Sequence, residues 1–198
     1  PIWIKPALGG LLLGILCVPA IWLIGRQIHV SGQGLGLLGG GYGAVQMAIS
    51  GADWLPAGWN SVFLLLGLSL GKMISTSLTI GSGGSAGDFA PSLAIGGLLG
   101  GAFGRAAATI FAIPGLDPGA FALVGMGTFY GGLANVPLSA VILVCEMAGS
   151  YDLLVPLMLS QGIAYVILKK QNIYDAQVEN VPQSPVHRST VAIEFLKS

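Results

Sequence analysis

Six apolar runs, joined by glycine and proline more often than by charged loops, divide this sequence and leave it few ways to fold. They cover 7–24, 61–80, 89–113, 119–133, 137–148 and 153–168. Crossing a hydrocarbon core about 30 Å thick takes about 20 helical residues, and several of these runs are shorter. Non-helical backbone at that depth is tolerated only within protein or beside a water-filled cavity, and broken helices facing a cavity mark transport sites. Only 8% of residues are charged and 54% are hydrophobic, whereas soluble domains carry about 25% charged residues. So few charges cannot clothe a water-facing surface. The expected fold is all-α and integral to a membrane, built of short, broken, tilted helices. The formal net charge is zero, and no basic face invites nucleic acid.

The 32 glycines are mixed with Leu, Ile and Ala, a composition that suits closely packed membrane helices. Gly96, Gly100 and Gly104 repeat every four residues, as do Gly97 and Gly101, so each set lies on one helix face. Close packing against a second helix is the expected role. Cys17 and Cys145 lie inside apolar runs and read as small buried hydrophobes. Neither a disulfide, a metal site nor a cofactor is expected. The opening Pro1-Ile2-Trp3-Ile4-Lys5-Pro6 is not built like a signal peptide and lacks an initiator Met, so a fragment or one part of a split protein is expected. Lys169 and Lys170 close the last run and place the polar tail on the cytoplasmic side.

The chemistry concentrates at Gly81-Ser82-Gly83-Gly84-Ser85-Ala86-Gly87-Asp88-Phe89-Ala90-Pro91. A glycine-rich loop here runs straight into a helix N-terminus. The first amides of a helix have no intrahelical partner, and the macrodipole adds about half a positive charge. Together they suit an anion. Pro91 fits the first turn, where a missing N–H costs nothing. On this motif alone a second reading stands beside the first: Asp88 caps the helix with its own carboxylate.

Gly87-Asp88-Phe89-Ala90-Pro91 resembles the G-x-F-x-P motif of the CLC family of chloride channels and chloride/proton exchangers. Gly40-Gly41-Tyr42-Gly43, Ser92–Gly96, Gly125-Met126-Gly127 with Asn135–Leu138 and Ile142–Met147, and Asn172–Asp175 resemble further family stretches in the same order over about 1–180. The resemblance implies the second, C-terminal inverted repeat of a CLC-type transporter. It divides the chain into a membrane unit over 1–170, a final short helix over 171–180 and a cytoplasmic tail or linker over 181–198. It implies chloride or a similar small anion as cargo. The backbone amides of Asp88 and Phe89 face a central anion, those of Phe89 and Ala90 a more external one, and the Tyr174 hydroxyl donates to the central ion. Gly81, Ser82, Gly83, Gly84, Gly87 and Pro91 support the loop. A homodimer through 137–168, a bacterial inner membrane, and a need for the first repeat to complete the pathway are also implied. The serine motif G-S-G-x-P and the gating glutamate motif G-[KR]-E-G-P of that first repeat do not occur here.

The family usually has an aliphatic residue where Asp88 stands. A carboxylate would repel a nearby anion strongly in a low-dielectric site. It can turn away, take a proton, or alter selectivity; the expectation is that it turns away. Lys72, inside the second run, either adds positive potential for anions or snorkels to the interface. Glu146 is expected to be structural and hydrogen-bonded. Two rival readings remain. Gly83-Gly84-Ser85-Ala86-Gly87 fits the G-x-S-x-G nucleophile elbow of a serine hydrolase, which needs a preceding strand and a histidine; the histidines, His29 and His187, lie in remote polar segments. Gly41-Tyr42-Gly43 resembles a potassium filter, but the preceding Thr-Val is absent.

Overall fold

The computed structural model describes residues 4–28, 36–51, 55–113, 115–168, 171, 173 and 174. Among these residues seven helices follow in order: α1 (Ile4–Ile28), α2 (Tyr42–Ser50), α3 (Trp59–Gly81), α4 (Phe89–Phe111), α5 (Pro118–Leu133), α6 (Pro137–Ala148) and α7 (Leu154–Leu168). No strand occurs among the described residues. The runs read from sequence correspond to six of these helices. The seventh, α2, falls at the end of a stretch read as a glycine-rich connection. Gly41 opens it with φ +86°, and a side chain at Gly41 would collide with the Ala94 Cβ. Only glycine meets both demands.

Local chemistry sets the boundaries. Asp117 caps α5, its Oδ1 accepting from the Gly119 N–H at 2.8 Å, and Pro118 follows in the first turn. Pro137 opens α6, and Gly149, at φ +65°, closes it. α3, α4 and the 4–22 part of α1 are long and apolar enough to span a bilayer. With 12 residues, α6 extends only about 18 Å at about 1.5 Å per residue. It cannot cross alone.

α4 is the central element: half of its span is buried, against 11% for α1 and 28% for α3. One cluster joins it to α1, α2 and α3 through Cys17, Ala48, Leu65, Leu68 and Leu98. Another joins it to α5, α6 and α7 through Leu93, Met126, Val144, Cys145 and Leu157. Both cysteines are buried and free. Both glycine faces of α4 reach α5, and one of them reaches α2 as well. Gly96, Gly100 and Gly104 lie against Gly125 and Phe121 of α5, while Gly97 and Gly101 sit between α5, at Met126 and Ala122, and α2, at Val45 and Ala48. Close packing is therefore their role. The outer surface is apolar, with Leu11, Phe63, Phe103, Leu138 and Val166 all exposed. Such a surface is at home in lipid.

Candidate anion site

The loop before α4 is shaped by how α3 ends. The Gly84 N–H donates to the Thr79 carbonyl at 2.9 Å and the Gly83 N–H to the Ile80 carbonyl at 2.9 Å. Gly83 sits at φ +83°. This is a Schellman closure, with Gly83 supplying the left-handed residue. A side chain at Gly84 would meet the Thr79 carbonyl oxygen at 2.8 Å. These two glycines thus stop α3 and turn the chain toward α4.

Asp88 stands at the N-cap of α4, but its side chain makes no capping hydrogen bond. Its carbonyl accepts from the Ser92 N–H at 3.0 Å and the Ser92 hydroxyl at 2.6 Å. The self-capping reading fails. The first-turn amides of α4 keep their donors, and the helix dipole points its positive end at the same place.

Two further elements converge there. The Phe89 ring meets the Tyr130 ring edge-on, with centroids 4.9 Å apart. The segment after α7 docks on the end of α5: the Ile173 N–H donates to the Leu133 carbonyl at 3.2 Å, and the Asn135 amide to the Gln171 carbonyl at 3.2 Å. Tyr174 is thereby carried to the α4 N-terminus, beside Asp88 and Tyr130. Burial, then the Asp88 charge and Tyr130, hold this phenol above its usual range, so it remains a hydroxyl donor. The Asp88 carboxylate lies within electrostatic reach of that phenol. Tyr130 escaped the sequence reading because it sits in an ordinary apolar run, and only the α4–α5 crossing brings it to the site.

On another side of the α4 N-terminus lies a cavity of ≈ 500 Å³, bounded by Gly87, Phe89, Ala90 and Pro91, by the 37–40 loop, and by Lys72, Ser75, Thr76 and Thr79 of α3. The four α3 residues fall on one helix face, a spacing legible in the sequence. Lys72 is 2% exposed and its Nζ donates to the Gly39 carbonyl and, at 3.5 Å, to that of Leu37. It does not snorkel. The Ser75 hydroxyl reaches the same Leu37 carbonyl at 2.9 Å.

Glu146 accepts a hydrogen bond from the Tyr151 hydroxyl, as a structural role requires. Ser85 follows a helix rather than a strand, and His29 and His187 lie outside the described residues, so the hydrolase motif lacks its context. Tyr42 begins a helix instead of lining an extended filter. The short helix expected over 171–180 lies mostly outside the described residues, and the tail over 181–198 entirely so.

The voltage gated chloride channel family model matches residues 1–169. The H(+)/Cl(-) exchange transporter ClcA of Yersinia pestis bv. Antiqua (strain Angola) is 35% identical over 158 residues, 80% of this chain and 30% of that protein. The ClcA of Salmonella agona (strain SL483) is 39% identical over 122 residues, 62% of this chain and 24% of the relative. The chain thus spans less than a third of the length of these relatives. It belongs to the voltage gated chloride channel family, the CLC family.

Proposed function

We propose that this chain is the second repeat of a CLC-type chloride/proton exchanger in a bacterial inner membrane, and that it supplies one wall of the anion pathway. One observation carries the reading: α4 begins with amides that the Asp88 side chain does not cap, with Tyr174 close by. The amides of Asp88 and Phe89 hold a central anion, those of Phe89 and Ala90 an outer one, and Tyr174 donates to the central ion. Neutral dipoles hold an ion firmly enough to enter and weakly enough to leave. Lys72 adds positive potential to the cavity beside Phe89 and Ala90. That the relatives are H(+)/Cl(-) exchange transporters supports exchange over passive conduction. The first repeat completes the site from the facing side, and 137–168 forms a homodimer contact. The tail emerges in the cytoplasm.

The test is flux in liposomes carrying this chain assembled with the first repeat. Chloride as the only permeant ion should give flux, with protons moving the opposite way; potassium as the only permeant ion should give none. Potassium flux, or no chloride flux, sinks the reading.

A further inference from the structure

We propose that Asn135 is the positioning residue for Tyr174: its side-chain amide, held at the α5–α6 corner, latches the segment after α7 so that the tyrosine hydroxyl faces the anion. This deepens the function proposed above and rests on its reading of Tyr174.

Asn135 stands where α5 ends, with φ +56°. The Ala134 N–H donates to the Tyr130 carbonyl at 2.9 Å and the Val136 N–H to the Gly131 carbonyl at 3.0 Å. The second bond, closed around a left-handed residue, makes a Schellman ending. The same closure ends α3 around Gly83 and α6 around Gly149. Glycine takes the left-handed conformation at no steric cost, and asparagine is one of the few other residues that tolerate it. Closing the helix needs no side chain, so the amide at 135 is free for another task. Its Nδ2 donates to the Gln171 carbonyl at 3.2 Å, across 36 positions of the chain.

One other hydrogen bond docks this segment, from the Ile173 N–H to the Leu133 carbonyl at 3.2 Å. That carbonyl is among those an α-helix leaves without a partner at its C-terminus. Any sequence could form this backbone bond; the bond to Gln171 depends on the side chain at 135. Held at residues 171 and 173, the chain enters Tyr174 in a set direction. Gly132 lets the end of α7 come this close, since a Cβ there would lie 2.9 Å from Leu168 Cδ1. The corner itself is stiff. Pro137, with its fixed φ, opens α6 at once, and the Ala140 N–H donates to the Val136 carbonyl at 3.0 Å. A stiff corner presents the amide at little entropic cost. It is also built on the helical turn of Tyr130, whose ring meets Phe89 edge-on. The latch therefore ties Tyr174 to the same turn that touches the start of α4.

The experiment uses the chain assembled with the first repeat. Asn135→Gly keeps the left-handed corner and deletes the amide. Chloride affinity by calorimetry should fall about fivefold, the worth of one neutral hydrogen bond, with helicity unchanged. Asn135→Asp keeps the shape but turns an acceptor toward the Gln171 carbonyl, and should lose affinity as well. In a Tyr174→Phe background Asn135→Gly should cost nothing more, because the latch acts only through that hydroxyl. The ultraviolet titration of Tyr174, read against Tyr174→Phe, should move to lower pH in Asn135→Gly, since leaving the α4 N-terminus removes the burial and the Asp88 charge that raise it. Unchanged affinity in both Asn135 variants, losses that add in the double variant, or an unmoved titration overturns the latch and leaves the transport reading standing. Unchanged affinity in Tyr174→Phe, or no chloride binding in the unaltered protein, overturns the reading of the site itself.

Discussion

The segment after α7 carries Tyr174 to the α4 N-terminus, within electrostatic reach of Asp88. That proximity can be tested directly. The phenol lies above its usual range partly because of the Asp88 charge, so Asp88→Ile should let Tyr174 titrate at a lower pH. Ultraviolet titration against a Tyr174→Phe control would measure this, and an unmoved titration would refute the proximity. The sign also fixes a stability trend: a raised phenol contributes stability in full below its ordinary value and loses it as pH rises through the raised one. For function, Tyr174→Phe should weaken chloride binding about tenfold, the worth of a hydrogen bond to a charge of about 1.5 kcal/mol. Calorimetry would report it. Gln161 is a different case. It is 1% exposed on α7, packed against Gly131, and neither polar atom of its amide finds a hydrogen-bond partner among the described residues. An unmet buried amide costs about 1–3 kcal/mol. Gln161→Met, similar in shape and without that cost, should raise the melting temperature in detergent by a few degrees; a fall would mean the amide has a partner in the membrane.

Between elements, the α4–α5 crossing is the contact on which the site depends, because it sets Phe89 against Tyr130. Backbone meets backbone there: a Cβ on Gly100 would run into the Phe121 carbonyl oxygen, with Gly125 Cα at 3.0 Å. Neither can move as a side-chain tip can. Gly100→Ala should therefore destabilise by about 1–3 kcal/mol, the usual cost of overpacking. It should also weaken chloride binding by shifting the α4 N-terminus. Gly10→Ala on α1 is the matched control. Nothing lies within 4 Å of its added Cβ, and Ala in a helix gains about 0.5–1 kcal/mol over Gly. Thermal unfolding of the two variants should move in opposite directions. If Gly100→Ala is neutral, the helices are not in this close register.

At the scale of the whole molecule, one face remains apolar along two short helices. Leu138 and Ile142 of α6 and Leu159, Ile163, Val166 and Ile167 of α7 are all more than half exposed. Lipid or a second copy could cover such a face; the homodimer proposed through 137–168 chooses the copy. Ile163→Trp would be harmless in lipid but would overpack an interface, weakening dimerisation about tenfold or more. Light scattering in detergent should then show monomer with unchanged helicity. A dimer of unchanged strength would remove this face from the interface.

Much of this could be read along the chain alone. Membrane residence follows from scarce charge, the helix spans from apolar runs bounded by Gly and Pro, and the anion-suited helix start from the loop preceding Phe89. These are local properties, set by propensity, capping and the cost of burying backbone. Other features required the packed chain. α2 was hidden because its nine residues follow a glycine-rich stretch, and Gly41 serves a collision with Ala94 that lies 53 positions away. Lys72 stands in an apolar run under either reading; only burial against the 37–39 carbonyls removes the snorkelling one. Asp88 was open between capping its own helix and leaving those amides to an anion, and its side chain leaves them uncapped. What surrounds the carboxylate instead depends on where α5 and the segment after α7 come to rest, which no local preference sets.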